Sequence, residues 1–464
     1  MNINDTLQFQ NIGLPEDILR LKHHGAYDDA IRLIDYRLKT EKVPDALRYC
    51  MLIHREMMVR TAVEFPYTYD DALAIIRQHI PDFTKEEWDR IIAERKVRWA
   101  YVNGEMRIFG RFFSSLVKAY KGFAVRANQT LPGVESAVGG IPLLDYAGMK
   151  MKENGSMTNR IRIRATMRIK DENFVPGMFV RAHLPIPSAC AQQSDIRIEK
   201  VYPENGQIAP EDAAQRTVCW EETMQENHEF IVEYSYLHKA KYHNLDEATG
   251  IPGSYDFDLE EQAPHIVFTP FIRTLCAELS EGIEDPLMKA RAFYDFITKN
   301  MKYTHVPEYF CIETIPEGCA RNYTGDCGIF ALLFITLCRC AGIPARWQSG
   351  MSANPKWVLC HDWAEFYVEP YGWMYVDASY GTTANRLGKQ ERREFLFGNL
   401  DPYRMVANRK FQASFDIPKE HWRADPYDNQ EGELETTDRG FRGKDLIRTH
   451  IPLACEDVTD EFIK

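Results

Sequence analysis

The sequence predicts an α+β chain in three parts: a mostly helical front, an antiparallel β middle, and a mixed helix–strand part followed by a tail. Three observations predict it. Apolar residues recur at helical spacing over much of residues 14 to 125. From Arg160 they alternate with polar ones, and after Cys327 an apolar helix precedes two strands rich in β-branched and aromatic residues. A chain of 464 residues exceeds one ordinary domain, and 45% hydrophobic with 12% aromatic residues is enough to build sizeable cores.

Residues 1–125 form the helical part. Ala30, Ile31, Ile34 and Leu38 share a face, and Thr84 with Glu87 makes a capping box ahead of Trp88. Asn103-Gly104 between two short apolar runs is a hairpin signal. A helix followed by a hairpin can be a DNA-binding wing. Against that, the net charge is −12 and the pI about 5.6, with no basic recognition helix, so no nucleic-acid partner is expected. Residues 126–158, with Gly133, Gly139, Gly140, Gly148 and Gly155 and little periodicity, read as a linker or loop. Residues 159–243 hold strands near 160–169, 178–184, 196–201, 217–220 and 229–236, a spacing that suits an antiparallel β-sandwich. The third part is residues 244–400. The remaining 401–464 are polar and read as an extension of open role that wraps the surface.

The chemistry concentrates between Tyr323 and Tyr380. Asp326 is a candidate N-cap, which places Cys327 in the first turn of a helix that stops at Gly342 and Pro344. There the helix dipole and unpaired N–H groups are expected to lower the thiol pKa and to stabilise an oxyanion. His361 on the following strand is the candidate base, and Asp377 on the next strand is the group that fixes its tautomer.

Gly325-Asp326-Cys327, the apolar helix, Ala341-Gly342-Ile343-Pro344-Ala345-Arg346, His361-x-Trp363-x-Glu365 and Trp373-x-x-x-Asp377 resemble the core of the transglutaminase-like superfamily. The resemblance is specific over about residues 286–381. It implies a papain-like thiol fold with a Cys327-His361-Asp377 triad and a β domain ahead of the core. It also nominates Tyr303 as an oxyanion donor. Asp377-Ala378-Ser379 departs from the Asp-Pro-Thr of many members, which touches the loop and not the carboxylate.

The implied activity is a cysteine peptidase or amidase acting on a peptide or protein substrate. The alternatives are a protein-glutamine transglutaminase, or a binding scaffold with an idle core. No cofactor or metal is expected. Cys338 and Cys340 lie about 200° apart on a helix, Cys360 and His361 point to opposite strand faces, and Cys311 and Cys319 lack zinc-type spacing. The 11 cysteines follow no disulfide framework, Met1 to Gln10 show no leader, and no run of about 18 apolar residues exists. A cytoplasmic protein without a membrane partner is therefore expected.

The hairpin carries a register condition. Asp377 shares a face with His361 only if the loop between the strands has an odd length or a bulge restores the parity. Asp377 then falls opposite Trp363, diagonal to His361.

Overall fold

The computed structural model describes residues 2–129 and 137–462. The front of the chain is helical, from Glu16–His23 through Tyr27–Thr40, Asp45–Glu64 and Tyr69–His79 to Lys85–Ala93. Thr84 and Glu87 make the reciprocal capping box. Asn103 and Gly104 both take positive φ and turn Trp99–Val102 back onto Glu105–Ile108, as a two-residue hairpin requires. The helix Phe112–Ala119 follows and buries Phe112 and Leu116 in the core of the helical front.

Of the stretch 126–158, residues 130–136 lie outside the described residues. The rest is more ordered than a linker. Leu143–Asn154 is an α-helix whose Leu143, Ala147 and Met151 are buried, and Gly155 ends it in the left-handed conformation. Its apolar spacing is helical, but the surrounding glycines mask it.

The β part comprises two four-stranded antiparallel sheets. One runs Glu433–Thr436, Met178–Pro185, Thr217–Met224, Gln207–Ile208; the other runs Leu446–Asp457, Ser156–Ile169, Phe230–Lys241, Gln193–Tyr202. Inward residues such as Ile163, Ala165, Met167, Ala182, Trp220 and Tyr234 fill one shared core. Each sheet takes an edge strand from the end of the chain. The stretch 401–464, expected to wrap the surface, thus supplies strands Glu433–Thr436 and Leu446–Asp457 to the two sheets.

The mixed part holds a five-stranded sheet in the order Phe397–Gly398, Gly372–Val376, Val358–Val368, Ala345–Ala353, Arg404–Asn408. The Cys327–Cys340 helix packs on it through Ile329, Leu332, Leu333 and Leu337, all buried beside Ala364, Phe366 and Val376. Val368 pairs with Gly372, so the hairpin loop has three residues, and Ala364 faces Val376. This is the odd-length loop that the register condition requires. Among the described residues no helix is long and apolar enough to cross a membrane.

Candidate active site

Asp326 caps the helix by accepting from the Ile329 N–H at 3.2 Å, and it also accepts from the Tyr309 hydroxyl at 2.5 Å. Cys327 therefore opens the helix, with its side chain buried. Its thiol has two neighbours. Sγ donates to Asp362 Oδ2 at 3.1 Å, and the Tyr303 hydroxyl approaches Sγ at 3.8 Å. Gly328 permits this close packing: a Cβ there would lie 2.3 Å from the Tyr309 hydroxyl and 2.8 Å from Asp362 Oδ2.

His361 and Asp377 form a second constellation. His361 Nε2 meets Asp377 Oδ2 at 2.6 Å, and its ring stacks on Tyr380 at 4.3 Å between centroids. Asp377 also caps the Ala378–Arg386 helix, accepting from the Tyr380 N–H at 2.8 Å and the Ser379 hydroxyl at 3.1 Å. Arg404, fully buried, reaches Asp377 Oδ2 at 2.8 Å and also pairs with Asp401. Burial opposes ionisation of Asp377, but His361 and Arg404 outweigh it and hold the carboxyl well below its usual range. An ionised carboxylate only accepts, so Nε2 carries the proton and Nδ1 is the acceptor nitrogen of the neutral ring. Trp363 donates its indole N–H to Gln348 at 2.8 Å, with its ring 6.2 Å from that of His361.

Among the described residues no hydrogen bond joins Cys327 to His361. The two constellations meet through the chain at His361-Asp362 and through Gln430, whose amide donates to the His361 carbonyl at 3.1 Å and to Asp362 Oδ1 at 2.6 Å. Burial, and then the neighbouring Asp428 carboxyl, raise Asp362 well above the usual carboxylate range. The thiol departs from expectation in the same sense. Burial, and then the Asp362 and Asp326 carboxylates, push Cys327 up, so the helix dipole does not yield the lowered thiol pKa that its position implies.

The thiol shift makes a prediction. Asp362→Asn removes one of the charges that disfavour the thiolate, so the midpoint of the pH–rate profile for iodoacetamide alkylation of Cys327 moves down. An unchanged or higher midpoint refutes the assigned cause.

Arg404, Gln430 and Asp428 were not among the sequence candidates, because they lie in the stretch 401–464, remote from the motif. Asp362 follows His361 directly in the sequence. Its placement on the strand face opposite His361 was legible from period two. Tyr303 and His361 both line a cavity of about 380 Å³, together with Leu143, Trp357, Tyr380 and Tyr403. Burial and the adjacent Cys327 hold the Tyr303 hydroxyl in its protonated, donating form.

Comparison with known proteins matches residues 273–378 to the family model of the transglutaminase-like superfamily. Among curated proteins, the uncharacterized protein YebA of Bacillus subtilis (strain 168) is 26% identical over 131 residues, which is 24% of this chain and 18% of YebA. The match thus spans under a fifth of that relative. Among solved structures, a "putative cysteine protease" from Cytophaga hutchinsonii is similar at 17% identity with a TM-score of 0.41, covering 64% of this chain and 98% of that one. The periplasmic domain of TgpA from Pseudomonas aeruginosa is similar at 14% identity with a TM-score of 0.27, covering 55% of this chain and 96% of that one.

Proposed function

Since the chain carries a transglutaminase-like core over residues 273–378, we propose that it is a cysteine-dependent acyl-transfer enzyme that hydrolyses peptide or carboxamide bonds. The observation that carries this reading is the 2.6 Å His361–Asp377 contact, which leaves Nδ1 free as a base on the strand residue beside the thiol's partner, Asp362. Cys327 turns from Asp362 toward His361 and passes its proton to Nδ1, and the sulfur attacks the carbonyl carbon. The backbone N–H of Cys327 and the Tyr303 hydroxyl stabilise the oxyanion. His361 then returns the proton to the departing amine, leaving a thioester. Water, deprotonated by His361, releases the acid and restores the thiol. Asp377 keeps the imidazole in the required tautomer, and Arg404 keeps Asp377 ionised.

The test is a screen of the purified full chain against a peptide library in ¹⁸O-labelled water, with and without added primary amines. Hydrolysis places one labelled oxygen in the new carboxylate. Products carrying the added amine would move the reading to a transglutaminase. No turnover beyond that of Cys327→Ala would favour an idle core.

A further inference from the structure

The helical front of the chain contributes a residue to this site. Lys118, near the end of the Phe112–Ala119 helix, lies with its ammonium 4.1 Å from the centroid of the Tyr303 ring and lines the same cavity as His361. The ring face is its closest favourable partner. Among the described residues no carboxylate comes within ion-pair distance of it, whereas neighbouring cations are matched: Arg404 with Asp377 and Asp401, and Arg392 with Asp145. Two further cations stand beside it. Arg386 Nη1 donates to the Lys118 carbonyl at 2.6 Å, and Arg111 Nη2 lies 3.3 Å from His305 Nε2. Neither forms an ion pair among the described residues, and the acid that acts on Arg111 electrostatically is Glu64, on the helix Asp45–Glu64. The chain has 68 acidic residues for 56 lysines and arginines, so shortage of acid does not explain a basic cluster at this point.

We propose that Lys118, with Arg386 and Arg111 behind it, binds a carboxylate of the substrate, so that the site selects acid-bearing peptides. This rests on the hydrolytic reading above and adds the substrate class to it. A half-buried ammonium without a counter-ion carries a desolvation cost that an arriving carboxylate offsets. Burial lowers the Lys118 pKa in the free protein, followed by the Arg111 and Arg386 charges, while Cys327 and Asp326 act the other way. Tyr303 and Lys118 line the same cavity, so a carboxylate held by the ammonium lies close to the reacting thiol. The carboxylate can come from an Asp or Glu side chain or from the peptide's C-terminus.

The experiment uses the full chain and peptides that place Glu, Gln or Lys in turn at each position near the scissile bond, with amidated ends. A second arm uses Gln peptides with free C-termini. For wild type we expect kcat/KM to favour Glu over Gln by about tenfold or more at one position, as a charge-assisted contact provides. If the free-terminus arm alone shows the preference, the carboxylate is terminal. Lys118→Gln brings the ratio near one, and Lys118→Glu inverts it in favour of the Lys peptide. Because the readout is a ratio, general loss of activity does not mimic it, and circular dichroism checks that the variants fold. Binding of the same peptides to Cys327→Ala, with and without the Lys118 changes, measures the preference without turnover. A catalytically dead wild type that still prefers Glu peptides refutes the hydrolytic reading and keeps this one. Equal ratios in wild type and Lys118→Glu, in both rate and binding, overturn it.

Discussion

Cys327→Ala is expected to reduce turnover on any substrate found by a factor of about 10⁴–10⁶, while the thermal midpoint stays within a few degrees of wild type. The substitution deletes one sulfur at a helix start whose cap, Asp326, and packing residues remain. His361→Ala should fall nearly as far, because nucleophile and base act as a unit. Asp377→Asn should fall less in rate, yet it also loosens the cap of the Ala378–Arg386 helix and the Arg404 pair, so its stability should drop as well. Single-turnover kinetics and thermal melts on the three variants separate these effects. Wild-type turnover in Cys327→Ala would remove the sulfur from the mechanism.

Arg404→Met is expected to destabilise the fold by about 3–5 kcal/mol. The guanidinium is fully buried and sits between Asp377 and Asp401, which are themselves buried. Removing the cation leaves two buried carboxylates without its counter-charge, and Asp377, which Arg404 helps to hold ionised, is pushed toward protonation. Activity should fall with stability, since a protonated Asp377 no longer requires the Nε2–H tautomer of His361. The double variant Arg404→Met/Asp401→Asn should recover part of the loss, because one stranded charge is gone. Urea unfolding of the single and double variants measures both quantities. A single variant as stable as wild type would show that the cluster carries no net electrostatic load.

These expectations differ in how far the sequence could have supplied them. The helix from Cys327, the strand with His361 and the strand leading to Asp377 announce themselves through local periodicity. The parity of the hairpin even limited the loop to an odd length, and three residues are found. The partners of that core were not legible. Arg404 and Gln430 act from far along the chain, and no local pattern links them to the motif. The edge strand Leu446–Asp457 did carry a period-two signal in Ile447, Thr449, Ile451 and Leu453, obscured by Pro452 and by the exposure of that row. The thiol departs from the sequence expectation for a different reason. A helix dipole is a fixed local effect, whereas burial and a carboxylate from the adjoining strand are tertiary, and here they exceed it.

The late strands have a consequence for biosynthesis. A chain made from its N-terminus exposes Cys327 and His361 to its surroundings while Arg404, Gln430 and both edge strands are still untranslated. At about 5–20 residues per second, the interval between the thiol and the Leu446–Asp457 strand lasts on the order of 10 s. During it Asp377 lacks its guanidinium and each four-stranded sheet lacks one margin. On the proposed function, the nascent polypeptide therefore holds Cys327 before the groups that support His361 and Asp377 exist, and a ribosome-stalled fragment ending before residue 404 should be catalytically silent.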